Sequence, residues 1–317
     1  EIAIVPDDAA GTFAGEETIT VASTEALSSI TMNALDIAVQ SATIDGAPAQ
    51  VQLNEERQQL TLTPGAALPA GQHSIHIAYQ GKIQDGALGL FRTTYTDHGQ
   101  EKHLLITQFE PSDARRFAPL WDQPDRRAVF SLTVTAPAGQ HAVSNMPAAA
   151  TETLPGGATR TRFADTLPMA SYLLFLGVGD IERITTTVDG VEVGVVTRRG
   201  QAERGRYALQ AAADVLHYYR DYFGIPYPLP KLDMIGAPGE GGGFAAMENW
   251  GAILYFDQYL LLDDNLSSAE VVLIGKFERR VMFVKPMNRQ LQRPPRVETR
   301  THRVRIDQRL RLRRRLE

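Results

Sequence analysis

Glu248 and Asn249 form an unusual polar pair, because they lie within the otherwise apolar segment GGFAAMENWGAILYF at residues 242–256. An ionised carboxylate between Met247, Trp250 and a following strand is costly unless it is paired. Two explanations are open. The Glu248 side chain either points to solvent from a strand edge, or it accepts a cation from a ligand. The glycines before it would let a ligand approach the backbone closely.

Two other patterns could indicate a phosphate-binding loop or a metal site. The stretch GEGGG at 239–243 has the glycines of a phosphate-binding loop, but it lacks the Lys-Ser/Thr pair and no helical pattern follows it. None of the seven histidines is followed by Glu, and none has another His four positions later. His73 and His76 are three apart on a predicted strand, which places them on opposite faces. His217 lies on a predicted helix, so structural or surface roles are favoured for these three and the sequence predicts no zinc site.

Composition limits the remaining classes of chemistry. The chain has 317 residues, is 43% hydrophobic and contains no Cys. This length and composition suffice for two domains with hydrophobic cores. The absence of Cys excludes disulfides, thiolate zinc sites and a Cys nucleophile. No apolar run is long enough to span a bilayer.

The elements that must position these residues are of two kinds. Up to about residue 181 the chain alternates polar and apolar residues in short segments such as Glu17–Val21 and Ser74–Tyr79, separated by Gly and Pro clusters. This pattern predicts a mostly β domain, an antiparallel sandwich or saddle. Beyond residue 182, apolar residues at helical spacing predict a helix over 201–223, and strands are predicted at 231–235 and 252–256. That order is typical of the beginning of an α+β domain.

Three motifs resemble the aminopeptidase N family of zinc metallopeptidases. AAMENWG at 245–251 resembles the GAMEN exopeptidase motif of that family. QFEPSDAR at 108–115 and WDQP at 121–124 resemble its second signature, which lies in the N-terminal β-domain. YFGIPYP at 222–228 is also similar. The resemblance covers roughly the first 270 residues in the expected order. It implies a β-domain followed by the beginning of an α+β thermolysin-like catalytic domain.

The resemblance also implies a substrate site. In the family the Glu of GAMEN binds the free α-amine of a peptide, which assigns that role to Glu248. Glu110 and Gln108 of the second signature would line the same pocket, because a buried ammonium requires compensating carboxylates. The remaining implied substrate-binding positions belong to the motif segment itself: Phe244, Ala245, Ala246, Met247 and Asn249.

The motif departs from the family pattern at its first position, where Ala245 replaces Gly. A methyl group there would crowd the substrate backbone or require a changed φ, which lowers the expected catalytic efficiency. By resemblance, the backbone of Ala245 and Ala246 would contact the scissile region, and Phe244 would form a wall of the side-chain pocket. Gln123 replaces the Glu that usually follows Trp-Asp, in a loop of structural character.

The metal side of the family's site has no counterpart in the sequence. In the family, zinc polarises the peptide bond and activates water, and its ligands are the two His of H-E-x-x-H and a later Glu. That motif follows GAMEN by roughly thirty residues. The corresponding stretch here reads VVLIGKFERRV at 271–281. Zinc is therefore the cofactor that the family implies, while no zinc ligand is identifiable in this chain.

The last part of the chain differs from the rest in its charge. Residues 293–317 contain ten Arg and three acidic residues, whereas the whole chain has a net charge of -5. We expect that residues 273–317 are out of frame, joined to unrelated coding sequence, or disordered. A basic tail for nucleic acid or an anionic surface is the alternative. Because no aromatic residue follows Phe283 to stack on bases, no nucleic-acid partner is expected.

The sequence thus predicts three segments: an N-terminal β-domain at 1–182, the first part of a metallopeptidase catalytic domain at 183–272, and a basic tail at 273–317. The implied activity is zinc-dependent release of N-terminal residues from peptides with a free amine, and this chain is expected to be inactive as written. A non-catalytic peptide-binding module and a non-functional fragment are the alternatives. Because Glu1 already lies in a predicted strand, we expect the natural N-terminus to precede it. The cytoplasm, the periplasm and secretion remain open as locations.

Overall fold

The computed structural model describes residues 1–239 and 244–262. Most of the glycine-rich stretch at 239–243, the stretch at 271–281 and the basic segment at 273–317 lie outside the described residues, so the predictions made for them stay predictions. No helix of the described residues combines the length and apolar character needed to cross a membrane.

Strands dominate the first part of the chain. In chain order they are β1 (Ile2–Asp7), β2 (Thr12–Ser23), β3 (Ile30–Asn33), β4 (Ile37–Ile44), β5 (Ala47–Asn54), β6 (Gln59–Pro64), β7 (Gly71–Lys82), β8 (Gly89–Asp97), β9 (Gln100–Gln108), β10 (Arg127–Ala128), β11 (Leu132–Ala136), β12 (His141–Ser144), β13 (Ala148–Thr153), β14 (Thr159–Phe163), β15 (Met169–Ala170) and β16 (Leu176–Gly179). Two short 3-10 helices lie among them, at Ala114–Arg116 and Ser171–Leu173.

Helices enter in the second part. Its elements are β17 (Ile181–Val188), β18 (Val191–Arg198), a 3-10 helix at Ala202–Gly205, α1 (Arg206–Phe223), β19 (Lys231–Ala237), β20 (Ala246–Met247), β21 (Ala252–Phe256) and α2 (Asp257–Leu260). The hairpin of β17 and β18 belongs to the five-stranded sheet of this second part, and it begins beside the predicted boundary at residue 182.

The N-terminal domain consists of a ten-stranded sheet, a four-stranded sheet and a two-stranded ribbon. The spatial orders are β13-β14-β11-β1-β2-β7-β4-β5-β6-β3, β12-β16-β9-β8 and β10-β15. The Phe117 ring lies 5.7 Å from Phe13 of β2 and 5.3 Å from Phe109, the residue after β9, so the two larger sheets share one core. The predicted β-rich class is confirmed. One pair departs from the antiparallel pattern, because β1 runs parallel to β11.

The alternation that predicted these strands follows from their burial. On β7, Ile75, Ile77 and Tyr79 are fully buried, while the residues between them are more exposed. His73 lies on the buried face and its Nδ1 is 2.7 Å from Asp45 Oδ2, whereas His76 lies on the other face. The predicted opposite orientation of the two histidines is confirmed, and His73 has a structural ion pair.

Glu17 is a buried acid within the core of the first domain. Its side chain is 3% exposed, and its Oε1 has no hydrogen-bond partner among the described residues. Burial raises the pKa of Glu17 well above its ordinary value of 4.5. The folded state therefore binds a proton that the unfolded chain releases above pH 4.5, and stability decreases as the pH rises beyond that value.

Substitution of Glu17→Gln is therefore expected to stabilise the protein at pH 8, by roughly 1 kcal/mol or more. At pH 4 the two proteins should differ little, because Glu17 is then protonated in both the folded and unfolded states. Urea unfolding at the two pH values measures the difference. An unchanged pH dependence in the variant would show that Glu17 is not the responsible group.

The second domain has the spatial order β17-β18-β19-β21-β20, in which β18, β19 and β21 are parallel. The helix predicted over 201–223 starts as a 3-10 turn and becomes α-helical at Arg206. It ends at Gly224, whose φ of +65° suits a residue without Cβ. The side chains predicted for its apolar face include Leu209, Ala212 and Leu216, and all three are buried. The predicted beginning of an α+β domain is thus confirmed.

Candidate functional site

Among the described strands, the motif segment forms the edge of the second sheet. Ala246 and Met247 constitute β20 and pair antiparallel with Tyr255 and Leu254 of β21. Residues 248–251 form the tight connection between the two strands, which we call the motif turn. The amide of Ala252 closes it by donating to the Asn249 carbonyl at 3.2 Å. The sequence therefore places Glu248 directly after an edge strand.

Residues at the start of the motif pack onto the next strand. The Ala245 carbonyl accepts a hydrogen bond from the Phe256 amide at 3.2 Å. The half-buried Phe244 ring meets the Phe256 ring edge-on, with their centroids 5.2 Å apart. This fixes the chain at the point where the predicted substrate contacts begin.

Glu248 is buried, with 7% of its surface exposed. The solvent-facing alternative for its side chain is therefore wrong. Asn249 is 2% exposed, and its Nδ2 has no hydrogen-bond partner among the described residues. Buried polar atoms of this kind are rare in native structures and call for an explanation.

The second signature places its two predicted site residues differently. Gln108 is the last residue of β9 and is 6% exposed. Its Nε2 donates to the Glu110 carbonyl at 3.5 Å, while its Oε1 has no partner within the described ranges. Glu110 is solvent-exposed and precedes a cis peptide bond to Pro111. The signature thus provides one buried amide and one exposed carboxylate.

Other residues of that signature have structural roles. Asp122 is buried, and its Oδ2 accepts from Arg115 Nε at 3.0 Å. Its Oδ1 accepts from Ser171 Oγ at 2.7 Å. These bonds attach the WDQP loop to the 3-10 helix Ser171–Leu173, which leads directly to the segment beside β9. The sequence did not indicate this role for Asp122.

A single side chain joins that segment to the motif turn. Asn145 Nδ2 donates to the Leu173 carbonyl at 2.7 Å and to the Trp250 carbonyl at 2.8 Å. The Phe175 amide donates to Asn145 Oδ1 at 2.8 Å. On its other side the segment is bonded to β9, since the Leu176 amide donates to Thr107 Oγ1 at 2.8 Å. The end of β9 is therefore bonded to residues 173–176, and the motif turn is attached to the same residues through Asn145.

A buried charge cluster holds the motif turn from within the second domain. Lys231 Nζ donates to Asp233 Oδ2 at 2.9 Å and to the Gly251 carbonyl at 2.8 Å. Arg183 donates to Asp233 Oδ1 through Nε and a terminal nitrogen, at 2.9 and 2.8 Å. Burial lowers the pKa of Lys231, and the Asp233 carboxylate opposes this effect. The pattern Lys-x-Asp on a strand was the available signal, because residues two apart share a face.

Two further contacts lie beside the turn. Tyr227 is hydrogen-bonded to the Gly251 backbone, which partly offsets the rise that burial causes in the pKa of Tyr227. On the other side, Trp250 borders a small cleft. The cleft brings the two signatures together, since it is also lined by Pro124, Arg127, Met169, Ala170, Tyr172 and Leu173.

The histidines do not form a metal centre in the described part of the chain. No group of three His, Cys, Asp or Glu in residues 1–239 and 244–262 is arranged to hold a metal ion. His217 lies on the surface, with its Nδ1 3.0 Å from Asp189 Oδ2, in agreement with its predicted surface role. The side chains of residues 1–239 and 244–262 thus do not by themselves form a ligand set for the zinc that the resemblance implies. His302 lies outside the described residues.

Comparison with known proteins agrees with this architecture. The family model of the peptidase M1 N-terminal domain matches residues 1–173, and that of the peptidase family M1 domain matches residues 207–273. Aminopeptidase N of Acetobacter pasteurianus is 39% identical over 253 residues, which cover 78% of this chain and 70% of that protein.

Two longer relatives are similar over the same region. Aminopeptidase M1-D of Oryza sativa subsp. japonica is 37% identical over 273 residues, 85% of this chain and 31% of the rice protein. Thyrotropin-releasing hormone-degrading ectoenzyme of Rattus norvegicus is 33% identical over 273 residues, 83% of this chain and 25% of the rat protein. The chain therefore spans less than a third of these two relatives. It belongs to the M1 peptidase family, of which it contains the N-terminal β-rich domain and the beginning of the catalytic domain.

Proposed function

We propose that this chain contains the amine-recognition part of a metallo-aminopeptidase site and binds peptides through their free N-terminal amine. The observation that carries the proposal is the buried Gln108 Oε1, which has no partner among the described residues, on a strand tied to the same segment as the Glu248 turn. An ammonium group offers three donors and a positive charge. It would satisfy that acceptor, and its charge is opposite to that of an ionised Glu248 carboxylate.

The neighbouring groups support the same role. Glu110 is exposed and would contribute a second carboxylate at the entrance, favouring a charged terminus over a blocked one. In the described sheet β20 is the edge strand, which supports a contact between the backbone of Ala246 and an extended peptide. Ala245 and Phe244 precede it, as a backbone contact and as a wall of the side-chain pocket. Met247 is buried in the core and would support the turn from beneath.

Glu248→Gln is expected to remove much of the preference for a free amine. A charge-assisted hydrogen bond contributes about 1.5–3 kcal/mol, so we expect the wild-type chain to bind a free-amine peptide at least about tenfold more tightly than its N-acetylated twin. The ratio should approach one in the variant. Calorimetry with both peptides measures it, and Glu152→Gln on the exposed strand β13 is the matched control. Equal affinities of the wild-type chain for the two peptides, or no binding, would refute the proposal.

We also propose that the chain does not hydrolyse peptides as written. No H-E-x-x-H occurs in its sequence, and the described residues provide no set of metal donors. With an aminoacyl chromogenic amide and excess zinc, release of the chromophore is expected to equal the blank. Hydrolysis above the blank that a chelator abolishes would overturn this proposal, while leaving amine binding unaffected.

A further inference from the structure

We infer that Asn145 is a positioning residue of the amine site, which holds the motif turn of the second domain against the β-domain. The consequence for amine binding rests on the proposed function, because Asn145 would keep Glu248 in place relative to the residues of the second signature. Asn145 itself follows β12 in the β-domain and lies outside all three sequence motifs.

The contacts of Asn145 determine the orientation of its amide. The side chain is 1% exposed, and both hydrogens of Nδ2 are used, one on the Leu173 carbonyl and one on the Trp250 carbonyl. Its Oδ1 accepts from the Phe175 amide. The residue therefore forms two bonds within the β-domain and one to the motif turn. Only a side chain that both donates twice and accepts can make this set.

The backbone of Asn145 also touches the turn. A Cβ atom added to Gly251 would lie 2.3 Å from the Asn145 carbonyl oxygen, so the two backbones are in direct contact there. Two consecutive carbonyls of the turn are thus held from opposite sides, the Trp250 carbonyl by Asn145 and the Gly251 carbonyl by Lys231. Loss of the Asn145 bonds should weaken the attachment of the turn to the β-domain, while its hydrogen bond with Lys231 remains.

Asn145→Asp is the most direct test of this role. It preserves size and the acceptor for Phe175, but it places a carboxylate oxygen against two carbonyl oxygens. Asn145→Ser is a milder second variant, which removes both Nδ2 bonds without introducing charge. Ser144→Ala is the matched control, because Ser144 is buried beside Asn145 and donates to the Phe175 carbonyl at 2.6 Å. That bond lies wholly within the β-domain.

The experiment measures hydrogen exchange and peptide binding on the full chain and its three variants. The amides of Ala252 and Asp233 report on the turn, because they donate to the carbonyls of Asn249 and Gly251. We expect both Asn145 variants to accelerate exchange of these amides by about tenfold or more, corresponding to about 1.4 kcal/mol, and Ser144→Ala to leave it unchanged. The affinity ratio of the free-amine to the acetylated peptide should fall by a similar factor in the Asn145 variants alone.

Each outcome decides a defined part of the inference. Equal exchange at the turn in the Asn145 variants, Ser144→Ala and the wild-type chain would overturn the positioning role. Faster exchange with an unchanged affinity ratio would overturn its connection to amine binding. If the wild-type chain does not distinguish the two peptides, the proposed function fails, and exchange at the turn alone then decides whether Asn145 positions it.

Discussion

Asp233→Asn is expected to destabilise the folded chain by about 3–5 kcal/mol, the usual cost of removing one partner from a buried ion pair. The side chains of Lys231 and Asp233 are 5% and 1% exposed, and Arg183 also donates to Asp233. The substitution preserves volume but leaves the Lys231 ammonium without a carboxylate in a buried environment. Because that ammonium also donates to the Gly251 carbonyl, the loss extends to the motif turn.

Urea unfolding followed by circular dichroism measures this loss. Asp221→Asn is the control, because Asp221 forms its ion pair with Arg220 on the surface of α1, where water replaces the lost contact. Its unfolding midpoint should remain close to that of the wild-type chain. Adding Lys231→Met to Asp233→Asn should restore part of the stability, since the unpaired buried charge is then absent. A small effect of Asp233→Asn, equal to that of the control, would show that the cluster does not stabilise the fold.

Gly251→Ala is expected to cost about 2 kcal/mol or more, because two effects add at one residue. The φ of Gly251 is +72°, a conformation that side chains with a Cβ rarely adopt. In addition, the new Cβ would lie 2.3 Å from the Asn145 carbonyl oxygen, which belongs to backbone and cannot turn aside. The motif turn or the end of β12 must then move.

Gly190→Ala separates the two effects. Gly190 has a φ of +82° in the hairpin of β17 and β18, but a Cβ there would meet nothing within 4 Å. It should therefore cost only the conformational part, about 1–2 kcal/mol. Thermal or urea unfolding of both variants gives the difference, and the peptide affinity ratio should change for Gly251→Ala alone. Equal losses of stability in the two variants would show that the close approach to Asn145 is unimportant.

Local sequence patterns were sufficient to predict the secondary-structure elements and to identify the family. The strand at 252–256 follows from a short run of apolar residues and the apolar face of α1 from helical spacing, and both patterns depend only on neighbouring residues. Likewise the GAMEN-like segment is contiguous, so its residues could be identified without a fold. Residues that act through long-range contacts have no such signal. Asn145 directly follows a short strand, and its neighbour Trp250 is distant in sequence.

One physical cause separates the features that the sequence predicts from those that only the folded structure determines. Residue types along a strand or helix determine which face is apolar and where the element ends, and the order of the motifs indicates an M1 peptidase. Strand partners and the environment of a charge depend instead on what the rest of the chain brings near. Thus the parallel pairing of β1 with β11, the burial of Glu248 and the exposure of Glu110 emerge only after folding. So does the attachment of the motif turn to both domains through Asn145 and Lys231, because hydrogen bonds between distant segments leave no periodicity in the sequence.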